Sequence, residues 1–99
     1  MLVHTVFFWL KEDLNEEQRA DFFRGLETLK EIPSSGPVMT GTPSATAKRP
    51  VIDDSYDFGL TCVFESVEEH DVYQAHDIHQ KFINGCAKYW EKVQVYDYD

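Results

Sequence analysis

Along the 99-residue chain the spacing of apolar positions changes several times, and each change marks an element. Residues 2–10, LVHTVFFWL, are β-branched and aromatic with no glycine or proline, which predicts a strand. Leu2, His4, Val6, Phe8 and Leu10 share one face, while Val3, Thr5, Phe7 and Trp9 share the other. Both faces are largely apolar, so this strand needs cover on both sides. Asn15 followed by Glu16, Glu17 and Gln18 predicts an N-cap, a capping box and acids at the positive end of a helix dipole. The helix carries an apolar stripe of Phe22, Phe23, Leu26, Leu29 and Ile32 and ends before Pro33. Pro37, Pro43 and Pro50 among small polar residues predict a loop, with at most a short edge strand at 37–42. Alternation returns over 56–64 and predicts a strand whose dry face is Tyr56, Phe58, Leu60, Cys62 and Phe64. Ser66 with Glu69 reads as a second capping box, opening a helix that runs to about His76. Ile78, His79, Phe82, Ile83, Cys86 and Trp90 then fall at helical spacing, and 92–98 alternate as a closing strand.

The resulting order, β-α-β-β-α-β, predicts an α+β ferredoxin-like layer with helices on one side of the sheet. The even face of the first strand and the Phe58, Leu60, Cys62 face suit the helical side. Val3, Phe7, Trp9 and Val63 are then left on the open side as a contiguous apolar patch of a kind monomers rarely expose. A second copy of the same sheet covers such a patch most simply, at roughly 25 cal/mol per Å² buried. The expectation is a homodimer with sheets face to face, a dimeric α+β barrel.

Composition narrows the function classes. With 42% hydrophobic and 14% aromatic residues, the chain can bury a core, and its length suits one domain over 1–99. A net charge of −9, with no Lys/Arg cluster, argues against nucleic acid and anionic membrane surfaces as partners. The first residues show no basic stretch ahead of an apolar one, and no apolar run approaches a bilayer span, which predicts a soluble, cytoplasmic protein. Cys62 and Cys86 form no C-x-x-C and are expected as buried thiols, with a disulfide between them the alternative in an exported chain.

The candidate chemistry lies in YQAHDIHQKF, residues 73–82. His79 falls on the buried stripe of its helix, and His4 on the strand face that the helices cover. Both can point into one cavity walled by Val6, Phe8, Phe22, Phe23, Leu26, Phe58, Leu60 and Trp90. A mostly apolar pocket with few polar groups is the form of a small-molecule site. The bland alternative for each is a hydrogen-bonded core histidine. His76 and His79, three apart, could ligate a transition metal with His4 or Asp77, but no ordered H-E-x-x-H spacing supports this, and no metal is expected. His76 reads as a helix-end cation that complements the dipole, and His70, among acids, as a solvent-face residue. Tyr56, Tyr89, Tyr96 and Tyr98 read as core or interface aromatics rather than a stacking platform. Gly36, Gly41 and Gly59 are isolated, so no phosphate loop and no nucleotide cofactor are indicated.

LVHTVFFWL with its early His4, EEQRADFF, VFESVEEHDVYQAHDIHQKF and YWEKVQVYDYD together resemble the stress-responsive A/B barrel (Dabb) family, over most of the chain outside 33–55. The resemblance implies the dimeric α+β barrel. It also implies a place for chemistry, because the family includes polyketide cyclases that close their substrate by aldol chemistry without a cofactor. Tyr73 and His79 fall on the catalytic tyrosine and histidine of those cyclases, and His4 on their strand-one histidine. Phe58 and Leu26 stand where those enzymes carry a further histidine and a pocket tyrosine, so the pocket implied here is less polar. The function implied is a cofactor-independent cyclase or lyase acting on a small, partly apolar carbonyl compound. Neutral His79 would take a proton beside the carbonyl, the Tyr73 hydroxyl would stabilise the enolate oxygen, and His4 would orient the substrate. The alternative is a non-catalytic stress-responsive or ligand-binding dimer.

Overall fold

A computed structural model describes residues 1–99. Strand β1 spans Leu2–Leu10, helix α1 Glu16–Glu27, β2 Val38–Gly41, β3 Phe58–Phe64, α2 Val67–Ala75, α3 Asp77–Cys86 and β4 Trp90–Tyr98. Short 3-10 turns at Thr28–Glu31 and Ala87–Tyr89 carry the chain off α1 and into β4. The four strands form one sheet in the order β2-β3-β1-β4, and all neighbours are antiparallel. This is the ferredoxin-like α+β arrangement, with the helices on one face. No helix is long and apolar enough to cross a membrane.

Local chemistry accounts for the ends. The Asn15 side chain accepts the Gln18 N–H at 2.8 Å, and the Gln18 side chain accepts the Asn15 N–H at 2.9 Å, so both halves of the capping box form. At Ser66 only one half forms: its hydroxyl accepts the Glu69 N–H at 3.3 Å. His76 closes α2 and opens α3, and its Nδ1 accepts the Ile78 N–H at 3.1 Å. Through that nitrogen His76 caps the start of α3 as an acceptor, where its position had suggested a role at the far end of a helix.

Leu2, Val6, Phe8 and Leu10 of β1 meet Leu60, Cys62 and Phe64 of β3 under Phe22, Leu26, Leu29, Ile32 and Phe82. The even face of β1 therefore points to the helices. Two aromatic positions differ from expectation. Successive helical residues sit about 100° apart, so Phe22 and Phe23 cannot share one stripe; Phe22 takes the core, while Phe23 stays 36% exposed and stacks on Phe58 at 5.5 Å. Tyr56 does not extend the dry face of β3. The Asp57 N–H donates to the Phe8 carbonyl at 2.8 Å, and its carboxylate accepts from the Leu10 N–H and from Arg19, each at 2.7 Å. These bonds turn the chain out of the pleat before Phe58, and Tyr56 packs on Phe7 at 4.7 Å on the opposite side of the sheet.

That opposite side carries Val3, Thr5, Phe7, Trp9, Thr61, Val63, Met39, Tyr96 and Tyr98, by the pairing of Thr5 with Thr61 and Tyr96 and of Met39 with Thr61. No helix covers it. Cys62 and Cys86 are free and buried.

Candidate functional site

Between α2, α3 and the β1-β4 half of the sheet lies a cavity of about 140 Å³. A dry cavity of about 150 Å³ holds a benzene-sized guest, so this one suits a small organic group. Its wall is mainly apolar, from Val6, Phe8, Leu60, Phe82, Ile83 and Trp90, with Val93 and Val95 of β4. The two valines face the helical side but remain exposed because the helices do not reach β4, which leaves the cavity open along that strand. The polar groups on the wall are His4, Tyr73, Gln74 and His79.

His79 reaches the wall because α3 buries the side that carries Phe82 and Cys86. Its Nδ1 is buried with no hydrogen-bond partner. A buried nitrogen left unpaired costs free energy. Burial, and then the nearby His4 and His70, hold its pKa below the ordinary 6.5, so the ring stands neutral. The Tyr73 ring meets it edge to face at 5.0 Å. Tyr73 is fully buried at the end of α2, where the Cys62 thiol donates to its hydroxyl oxygen at 3.6 Å. Burial raises the phenol pKa far above its usual range, so the hydroxyl keeps its proton and can only donate it.

His4 lies one ring further, its centroid 6.1 Å from that of Tyr73. Its Nδ1–H donates to Asp97 at 2.5 Å across the β1-β4 pair, where the two residues are direct partners. Burial lowers the His4 pKa, and the Asp97 hydrogen bond opposes the shift without cancelling it. His70 is not on a solvent face. Its ring packs edge-on against His4 at 4.9 Å and Phe64 at 5.4 Å, because α2 turns that side to the sheet and leaves the flanking acids outside.

The structure thus brings Tyr73, His79 and His4 to one cavity, together with Val6, Phe8, Leu60 and Trp90. Phe22 and Leu26 sit in the core outside its wall, and Phe23 and Phe58 stack on each other away from it. The α1 stripe packs into the core with β1 and β3, whereas Tyr73, Gln74, His79, Phe82 and Ile83 of α2 and α3 line the cavity. Asp97, His70, Gln74, Val93 and Val95 were not foreseen. The antiparallel neighbour relation of the first and last strands carries a signal for Asp97, since it sets His4 against an acid.

The whole chain, residues 2–99, matches the stress responsive A/B barrel domain. It belongs to that family. Olivetolic acid cyclase from Cannabis sativa is 29% identical over 96 residues, covering 96% of this chain and 92% of the cyclase. Hydroxynitrile lyase from Passiflora edulis superposes with a TM-score of 0.80 at 20% identity, over 98% of this chain and 90% of the lyase. A dimeric ferredoxin-like protein from Thermobifida fusca superposes with a TM-score of 0.78 at 16% identity, over 98% and 88% of the two chains. The A/B barrel fold is thus shared with proteins named as a cyclase and as a lyase.

Proposed function

We propose that this A/B barrel protein binds a small, largely apolar carbonyl compound and catalyses its cyclisation or cleavage by proton transfer through His79 and Tyr73. The observation that carries the reading is His79 on the wall of an apolar cavity, with its buried Nδ1 left without a partner. In this reading His79 removes a proton from the carbon beside the carbonyl, and the Tyr73 hydroxyl donates to the oxygen on which charge develops. His4, held by Asp97, orients the bound molecule. General acid-base help supplies about 10²- to 10⁴-fold, and confinement of the substrate supplies the remainder. The cyclase and lyase relatives support the reaction class. The cavity's size supports a small substrate, or one whose tail lies along Val93 and Val95. The chain acts as a homodimer joined through its open sheet face, as the dimeric relative suggests.

A panel of β-polyketones, aromatic ketones and cyanohydrins tests this, with binding and turnover measured for the wild type, His79→Ala and Tyr73→Phe. The expected result is conversion of at least one compound, with kcat reduced about 10²- to 10⁴-fold in His79→Ala while the fold is retained. Binding without conversion in the wild type, with equal affinity in both variants, would instead make the chain a ligand-binding module.

A further inference from the structure

One cluster beside the cavity is not absorbed by the His79-Tyr73 pair. His4 on β1, His70 on α2 and Asp97 on β4 can each present one donor atom, and the three atoms lie within 4.8 Å of one another. Three separate elements supply them, so their convergence is a property of the fold rather than of one sequence run. We propose that His4, His70 and Asp97 form a binding site for zinc or a similar divalent transition metal.

Several features fit an ion of that class. Two imidazoles and one carboxylate are a borderline nitrogen and oxygen donor set, suited to zinc and its first-row neighbours rather than to calcium or magnesium. Around zinc, with bonds of about 2.0 to 2.2 Å, donor atoms stand roughly 3.5 Å apart, so the widest pair closes by at most about 1.3 Å while the His4–Asp97 pair opens from 2.5 Å. Asp97 allows this: its side chain is 43% exposed on an edge strand, whereas that of His4 is 4% exposed and fixed. The ion would take the place of the proton that His4 and Asp97 share, so uptake should release a proton. Asp71 lies 3.2 Å from the His70 Nδ1 and Gln74 3.4 Å from its Nε2, so when one nitrogen takes the ion the partner of the other still orients the ring. Phe64 lies against both rings, 6.2 Å from His4 and 5.4 Å from His70, and walls the group off on its sheet side. Three protein ligands leave one position open, the arrangement of a zinc site that also takes water or a ligand. His4 and Gln74 line the cavity as well, so an ion held here borders it.

His79 and Tyr73 lie outside the donor set, while His4 and Asp97 are shared with the orienting role proposed above, so zinc binding is measured apart from any carbonyl chemistry. The test uses the full chain, stripped with a chelator, and zinc chloride alone in competition with a chromophoric chelator, with no carbonyl compound present. The wild type is expected to bind one zinc per chain, with a calorimetric heat that varies linearly with buffer ionisation enthalpy because protons are released. His70→Ala and Asp97→Asn should each weaken binding by at least the 10- to 100-fold that even outer-sphere changes cost. His79→Ala and His76→Ala should leave it unchanged. Circular dichroism confirms that the variants fold, and Asp97→Asn, on an exposed edge position, keeps the test decisive if His70→Ala does not fold. No zinc retained by the wild type, or equal affinity in wild type, His70→Ala and Asp97→Asn, would overturn the proposal.

Discussion

His79 and His4 face the same physical problem: a ring that is neutral inside the fold and readily protonated outside it. Both have pKa values held below 6.5, chiefly by burial. Folding therefore disfavours their protonation. The stability tied to them is complete above pH 6.5 and is lost as pH falls from there through the lower folded pKa. The urea midpoint should fall on going from about pH 7 to about pH 5, before the carboxylates matter, since Glu27 and Asp21 titrate below their ordinary 4.5 and 3.8. In His79→Gln this fall should be shallower, and parallel profiles for the two proteins would contradict the assignment. At this scale the sequence was readable where side chains follow a helical or strand period. His79 shares its helix stripe with Phe82 and Cys86, and His4 shares its strand face with Val6 and Phe8. His70 was not readable, because Glu68, Glu69 and Asp71 around it look solvated, and only the packing of α2 on the sheet turns its ring inward. Asp97 needed the β1-β4 register to meet His4.

Elements meet closely at one point that period alone does not show. Gly25 of α1 lies against Cys86 of α3, and a Cβ added there would overlap the Cys86 sulfur, with the Phe82 ring at 3.5 Å behind it. Gly25→Ala should therefore destabilise the protein by about 1–3 kcal/mol despite the higher helix propensity of alanine. Pairing it with Cys86→Ala should recover part of the loss, since the added methyl then fills the space of the sulfur. Denaturant titration of the two single variants and the double variant measures this coupling, and strict additivity would refute the contact. At the start of the same helix, Asn15→Ala removes the reciprocal cap and should cost about 1 kcal/mol. Caps were legible because a few neighbouring side chains decide them. The exit of Tyr56 from its strand was not, because it depends on Asp57 reaching Leu10 and Arg19, which are distant in sequence.

The two sheet faces differ: one roofs a chamber with α2 and α3, and the other leaves Phe7, Trp9 and Tyr96 without helical cover, the face proposed above to meet a second copy. Element order was legible because each hydrophobic period changed cleanly at a cap, a proline or a turn. The chamber's mouth was harder to foresee, because Val93 and Val95 become its lining only when the helices stop short of β4. In the homodimer proposed here, Phe7→Lys should split the particle from twice the 11.5 kDa chain mass to a single chain in sedimentation equilibrium. A wild type already monomeric at micromolar concentration would contradict that assembly. The central claim is that His79 removes a proton next to a carbonyl. Its most direct measurement is the exchange of the α-protons of a small aryl alkyl ketone for deuterium, followed by NMR in heavy water with and without the protein. The account predicts that the wild type accelerates the exchange and His79→Ala does not; equal rates with the two proteins would contradict it.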